Sequence, residues 1–482
     1  MTGLSKTRLM SFLQCPKRLW LEKHRPELLQ FSAATEAAFA TGHEIGAIAR
    51  QLYDPDGTGI LISGSDGMAA AMRDSAAALA GPATTPLFEA TFERDGLLIR
   101  ADVLDRQAAR LIEVKSSTTC KDEHVTDCAI QAWVLETSAA PPQSVLLAHV
   151  NNQFVYPGDG DYRGLLVEVD VSAAIGAQRQ QVPAWLAAAV QTVDGASPEV
   201  AIGRRCRRPY ECPFIAHCWP ATDYPLTTLP GVSQRLDELI AQGYQDVREL
   251  PEARAGSGQA QRVWRAACSG QPETIDASVR AELAALGWPR YYLDFETIGG
   301  AIPRWAGTRP WQAVPFQWSL HIEPAPGQLE HAEFLDLSAA LPARAVATAL
   351  LAAIGTQGPV LTWTGYEKQC LGTLAAFCPE LADALAAVVE RLVDLHPIVK
   401  RGWYHPAMKG SWSIKALLPV IAPEMDYAQL EGVHDGGGAQ LAWAEAVAPQ
   451  TPAARHNELR EQLLRYCGHD TLAMVRVLRF FS

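Results

Sequence analysis

The chain has 482 residues, too many for one compact core, and its 48% hydrophobic, 20% charged composition belongs to folded protein rather than disorder. A formal net charge of −12 excludes a surface coated in cations, yet leaves room for a local basic groove beside metal-binding carboxylates. No stretch offers the roughly 18 apolar residues of a membrane helix, and Met1 to Arg8 lacks the apolar core of a signal peptide. The expectation is a cytoplasmic protein with no membrane partner.

Hydrophobic periodicity predicts an α/β chain in three parts. Residues 1–220 open with a helix over Ser5 to Leu13 and an Ala-rich helix over Ala33 to Tyr53. A hairpin follows, from Leu87 to Glu93 and Leu97 to Leu104 about an Asp95-Gly96 turn. Then come a strand from Arg110 to Lys115, a helix from Glu123 to Thr137, strands at Val145 to Val150 and Gly164 to Val171, and a helix from Val182 to Val193. Residues 221–289 read as a helical connector whose Leu229-Pro230-Gly231-Val232 turn resembles a helix-hairpin-helix clamp. Residues 290–482 form a second α/β part, with strands at Arg290 to Phe295, Phe316 to Glu323 and Val360 to Thr364. Its helices are expected at Tyr366 to Phe377, Ser413 to Leu418 and Glu458 to Phe480.

Two residues apart on one strand, Glu113 and Lys115 share a face, and Asp102 on the neighbouring hairpin strand can supply a second carboxylate. Paired oxygens suit a hard divalent ion such as Mg2+ or Mn2+. By itself, Glu-x-Lys also fits an edge strand with a cross-strand salt bridge. The order of motifs, however, resembles the RecB-like branch of the PD-(D/E)XK nucleases: His43 in Thr41-Gly42-His43-Glu44, then Asp102, then Glu113 and Lys115, then Gln131 in Ala129-Ile130-Gln131-Ala132. The resemblance implies a restriction-endonuclease-like mixed sheet, with His43, Asp102 and Glu113 as metal ligands and Lys115 and Gln131 as catalytic residues. Leu135 stands where the family often has Tyr, which puts one substrate-positioning contact in doubt.

Ten cysteines in a reducing compartment argue against disulfides. Cys206, Cys212 and Cys218 are clustered and Cys15 lies far upstream, a four-thiolate set suited to an iron–sulfur cluster or zinc. This split set resembles the iron–sulfur RecB-like nucleases of CRISPR adaptation and of the AddB helicase–nuclease subunit, which implies a structural [4Fe–4S] cluster, with Zn2+ as the alternative. The five-residue gap between Cys206 and Cys212 is longer than in those relatives. Cys120, Cys128, Cys268, Cys370, Cys378 and Cys467 read as small buried residues.

Asp294 and Glu296 share one face at the end of a strand, and Tyr466 and Asp470 share one face of the last helix. Asp-x-Glu followed by a late Tyr-x-x-x-Asp resembles the DnaQ-like DEDD exonucleases, tyrosine subtype, and implies an RNase H-like domain. There Asp294, Glu296, Glu367 and Asp470 would bind metal, with Tyr466 positioning water. Asp394 competes with Glu367 as third ligand. Val314 to Ser319, Lys409 to Lys415 and Tyr466 to Thr471 also resemble an uncharacterised bacterial domain fused behind RecB-like nucleases.

Nucleic-acid contacts are expected at Arg204, Arg205, Arg207, Arg208, Lys409 and Lys415, with His405 in the same aromatic loop as Lys409; a solvated face or a folded loop is the plain alternative for each. The resemblances imply a DNA nuclease acting on single-stranded ends or flaps in repair or phage defence, with a helicase or defence-complex protein as partner. A 3′–5′ exoribonuclease and a non-catalytic scaffold are the alternatives.

Overall fold

In the computed structural model, which describes residues 3–481, the chain is α/β and divides into two compact units. One comprises Met1–Pro220 and Gly300–Trp311, the other Ala221–Gly299 and Gln312–Ser482. This differs from the expected three parts in two ways. Residues 221–289 belong to the same unit as the C-terminal sheet, and residues 300–311 leave the C-terminal part for the first unit. Backbone pairing explains the second difference: Tyr156 N–H donates to Thr308 at 2.9 Å and Gly307 N–H donates to Tyr156 at 2.8 Å. Ala301 is buried there with Ile45, Phe154 and Tyr156.

In the first unit the chain runs β1 (Leu4–Ser5), α1 (Lys6–Gln14), α2 (Pro16–His24), α3 (Ala33–Tyr53), β2 (Ile60–Leu61) and α4 (Met68–Leu79). It continues through β3 (Leu87–Arg94), β4 (Leu97–Asp105), β5 (Arg110–Lys115), α5 (Asp122–Leu135), β6 (Ser144–Val150), β7 (Leu166–Asp170), α6 (Gly176–Asp194) and the short α7 (Ile215–Cys218). The seven strands form a mixed sheet in the order β2-β3-β4-β5-β6-β7, with β1 parallel to β4. Asp95 and Gly96 both take positive φ, 52° and 85°, the left-handed pair that a two-residue hairpin requires. On β5, Leu111 packs in the core that holds α5, while Ile112 packs on the other face with Val103 and Leu146. Strand alternation therefore turns Glu113 toward α5.

The second unit begins with short helices, α8 (Leu236–Ala241), α9 (Glu252–Ala255), α10 (Gln259–Ser269) and α11 (Ala277–Ala284). Gly231 supplies the left-handed φ of 72° in the Pro-Gly-Val turn. Next come β8 (Arg290–Ile298), β9 (Val314–Glu323), β10 (Glu330–Leu335), α12 (Ala343–Ala353), β11 (Val360–Thr362), α13 (Tyr366–Phe377), α14 (Ala382–Val389) and β12 (Leu392–Asp394). The unit ends with α15 (Leu395–Gly402), α16 (Ile414–Ile421), α17 (Gly436–Ala446) and α18 (Ala453–Phe481). Its sheet has the order β10-β9-β8-β11-β12, antiparallel from β10 to β8 and parallel from β8 to β12. The amphipathic α18 buries Leu459, Leu463, Tyr466, Cys467 and Met474 against this sheet. Two side-chain bonds fix its register: Gln317 of β9 donates to the Leu463 carbonyl at 2.8 Å, and Ser319 meets Thr471 at 2.8 Å. No helix among the described residues is long and apolar enough to cross a membrane.

Candidate metal centres

The first unit gathers Asp102, Glu113, Lys115 and Gln131, and adds Lys6 and Asp127. Lys115 Nζ lies 2.6 Å from Glu113 and 2.7 Å from Asp127; Lys6 Nζ lies 3.1 Å from Glu113 and 2.8 Å from Asp127. Gln131 donates to Glu113 and, at 2.9 Å, to Asp127 one turn earlier on α5. Asp102 accepts from the Val114 N–H at 2.7 Å. Burial, and then Glu113 beside it, push the Asp102 carboxyl up to about 8. Burial works against the charged forms of both lysines, but Asp127 and Glu113 outweigh it and hold both ammonium groups above their ordinary value. The same attraction outweighs burial at Asp127 and holds its carboxyl low. Three carboxylates thus face two lysines, an arrangement largely neutralised from within.

The structure leaves His43 outside this hydrogen-bonded group. It is exposed on α3, two residues before the buried Ile45, and its side chain makes no hydrogen bond or ion pair among the described residues. Sequence reasoning missed Lys6 and Asp127. The signal for Asp127 was present, since it precedes Gln131 by four residues on one helical face.

In the second unit, Asp294 and Glu296 of β8, Glu367 of α13 and Asp470 of α18 converge. Asp294 feels Asp470, Glu296 and Glu367, and burial followed by these like charges holds its carboxyl well above the ordinary range. Glu296 is raised by burial and then by Asp470, Glu367 is pushed up to about 8 chiefly by burial, and Asp470 to about 6 chiefly by burial. Glu367 is buried within electrostatic reach of Asp294, and its Oε2 has no partner among the described residues. Thr364, between β11 and α13, holds a φ of 88°, a strained value for a β-branched residue. Asp394 instead caps α15, accepting from the Thr364 and His396 N–H groups at 2.9 Å each. One Asp394 oxygen is thus committed to the backbone, whereas Glu367 keeps an oxygen without a partner among the described residues.

Tyr466 is buried one turn before Asp470 and within its electrostatic reach. A second phenol, Tyr427, donates to Asp470; no periodic pattern in the chain marks it. Lys415 Nζ lies 5.2 Å and 5.3 Å from the Tyr427 and Tyr466 ring centres and acts electrostatically on Glu296 and Asp470. Lys415, expected at a nucleic-acid surface, thus lies beside the carboxylate site. Cys467 is more than a core residue, because its Sγ lies 3.7 Å from Asp294 Oδ2. Asp294, Glu296 and Cys467 form the one group among the described residues that offers three ligand atoms within 4.8 Å of one another.

Cys15, Cys206, Cys212 and Cys218 line one cavity with Leu21, Phe214 and Ile215, and all four are free thiols. Burial pushes the Cys212 thiol up to about 11 and raises Cys218. Of the other cysteines, Cys268 departs from the expected burial: it is exposed near the end of α10. Arg204, Arg205, Arg207 and Arg208 are exposed around Cys206, with Arg207 3.8 Å from Glu211. Lys409 is exposed with its Nζ 3.5 Å from the Tyr224 ring centre, and His405 caps a short 3-10 turn.

These raised carboxyls give the metal-free protein a defined pH dependence. An acid whose folded pKa is raised binds more protons folded than unfolded. Its contribution therefore falls as pH rises from the ordinary carboxyl value to the folded one, here about 8 for Asp102 and Glu367. In a chelator, the melting temperature should drop between pH 5 and pH 8 by on the order of 5 °C, and Mg2+ should restore it. Calorimetry checks this; a melting temperature that rises over the same window would contradict the assigned burial.

A family model described as a domain of unknown function (DUF2779) matches residues 291–413, which include Asp294, Glu296 and Glu367. No curated protein matches the chain. One solved structure, titled "Crystal structure of SSO0001", is 14% identical and covers 45% of this chain and 86% of its own, at a TM-score of 0.24.

Proposed function

We propose that the protein is a metal-dependent nuclease that hydrolyses DNA phosphodiester bonds, acting as an exonuclease on single-stranded ends or flaps. The observation that carries this reading is the meeting of Asp294, Glu296, Glu367 and Asp470 in one buried site with Lys415 as the nearby cation. Buried carboxylates at such close quarters are stable only with protons or bound cations. Divalent ions there would polarise a phosphoryl oxygen and make water nucleophilic at neutral pH. Asp294, Glu296, Glu367 and Asp470 would hold them, as the DnaQ-like resemblance implies. Tyr427 fixes the Asp470 carboxylate, Tyr466 would position the water, and Lys415 would offset charge on the phosphate. Asp102 and Glu113 would form the second hydrolytic centre, of PD-(D/E)XK type, with Lys115 facing the phosphate and Gln131 holding Glu113.

The four-thiol cavity supports an iron–sulfur cluster over zinc. Thiolates around one zinc ion stand about 3.8 Å apart, whereas no three of these thiols come within 4.8 Å of one another. All-cysteine ligation across a wider cavity suits a multi-iron cluster.

The test uses end-labelled single-stranded DNA, duplex DNA and RNA with Mg2+ or Mn2+. DNA should be shortened from an end, and the Asp102→Asn, Asp294→Asn double variant should lose on the order of a thousandfold in rate. A double variant that degrades DNA as the unsubstituted protein does would sink the reading. Faster cleavage of RNA than DNA would move the substrate class to RNA.

A further inference from the structure

Two of the sites in the first unit are joined by the chain itself. Helix α1 begins with Lys6, whose ammonium lies on Glu113 and Asp127, and Cys15 follows its last residue. Ser5 caps its start by accepting from the Arg8 N–H at 3.3 Å, and Cys15 N–H closes its end on Ser11 at 2.9 Å. Nine residues make a rod of roughly 13 Å, short enough to move as one piece. From the other side, the loop between Cys206 and Cys212 carries Tyr210, whose phenol is within electrostatic reach of Lys115, Glu123, Asp127 and Glu113. Gln14 ties rod to loop: its side-chain amide donates to the carbonyls of Arg205 and Tyr210 at 2.7 Å each. Arg18 in turn holds Gln14 and, at 2.9 Å, Glu22.

We propose that Lys6 is a built-in counter-ion that competes with a divalent metal for Glu113 and Asp127, and that the four-thiol site sets its position through α1 and Gln14. The proposal rests on reading both sites as metal-binding. Lys6 is a positioning residue: it neutralises the carboxylates until a divalent ion displaces it, and the thiol site decides how firmly it is held. Lys115 does not share this link, because β5 carries it independently of α1.

The readout is Mn2+ affinity at the first site, followed by electron paramagnetic resonance. It uses full-length protein, purified without oxygen and carrying Asp294→Asn and Glu296→Gln to silence the second site. Lys6→Met should tighten Mn2+ binding about tenfold, the effect of removing one close positive charge, and Lys6→Arg should keep the parent affinity. Cys206→Ser should also shift Mn2+ affinity when Lys6 is present, and leave it unchanged on top of Lys6→Met. Should Cys206→Ser unfold the unit, Gln14→Ala cuts the same link with the thiols intact and carries the same expectation. An equal shift with and without Lys6→Met would overturn the coupling, and no tightening by Lys6→Met would overturn the competition. If parent and Lys6→Met protein alike bind no Mn2+, the metal reading of the first site fails, and the inference fails with it.

Discussion

Asp294→Asn should cut hydrolysis at the second site by at least about a thousandfold, while making the metal-free protein more stable. Both effects have one origin. Asp294 is the carboxylate on which Asp470, Glu296 and Glu367 all act, so it contributes most to any shared cation site and suffers most repulsion without one. Asn keeps the shape and one acceptor oxygen, and removes the charge. In a chelator at pH 8 the gain should be read as a higher melting temperature, about 3 °C for each kcal/mol relieved. With saturating Mg2+ the order should reverse, since the unsubstituted protein alone gains fully from the ion. Lower stability of Asp294→Asn in the chelator would mean the four carboxylates do not repel as their burial implies.

Cys206→Ser should abolish the brown colour of anaerobically purified protein and unfold the first unit well before the second. The thiols come from the end of α1, from the loop before α7 and from α7 itself, so whatever they bind staples distant stretches of chain. Structural metal sites contribute about 10 kcal/mol or more in small domains, and one held by these thiols would close a loop of some two hundred residues. Visible absorbance followed during a thermal melt checks it, and Cys15→Ser should behave alike. Full colour with an unchanged melt would exclude Cys206 from the site.

The strands that carry the acids were legible in the sequence because they are strongly patterned. β5 and β8 are continuous apolar runs broken by Glu113, or by Asp294 and Glu296, and the period of two assigns the faces unaided. Hairpin β3–β4 announced itself through Asp95-Gly96. What escaped were groups that a fold delivers from afar with no period to mark them. Lys6 looks like one more basic residue at a chain start, and Tyr427 sits in an irregular stretch; only packing brings each to its acid. Elements were missed where patterning is weak. Helix α4 is half alanine, and β10 is an edge strand reading Glu-His-Ala-Glu, whose exposed positions blur its alternation. Electrostatics adds a contrast between the two sites that the sequence does not carry. The motif order favours Asp102 and Glu113, yet that site carries its own lysines, whereas the second has the larger unmet demand for cations.

The excursion of residues 300–311 into the first unit has a practical consequence for testing the two candidate sites. The chain passes between the units three times, after residues 220, 299 and 311, so no single cut releases either intact. A fragment ending at 220 would lack the strip paired with Tyr156 and bare the apolar surface of Ile45 and Phe154. During synthesis, too, the first unit is incomplete until the ribosome has passed β8 of the second. The two candidate sites are therefore better separated by point substitution than by truncation, and loss of function in a half-length clone would say little about either site.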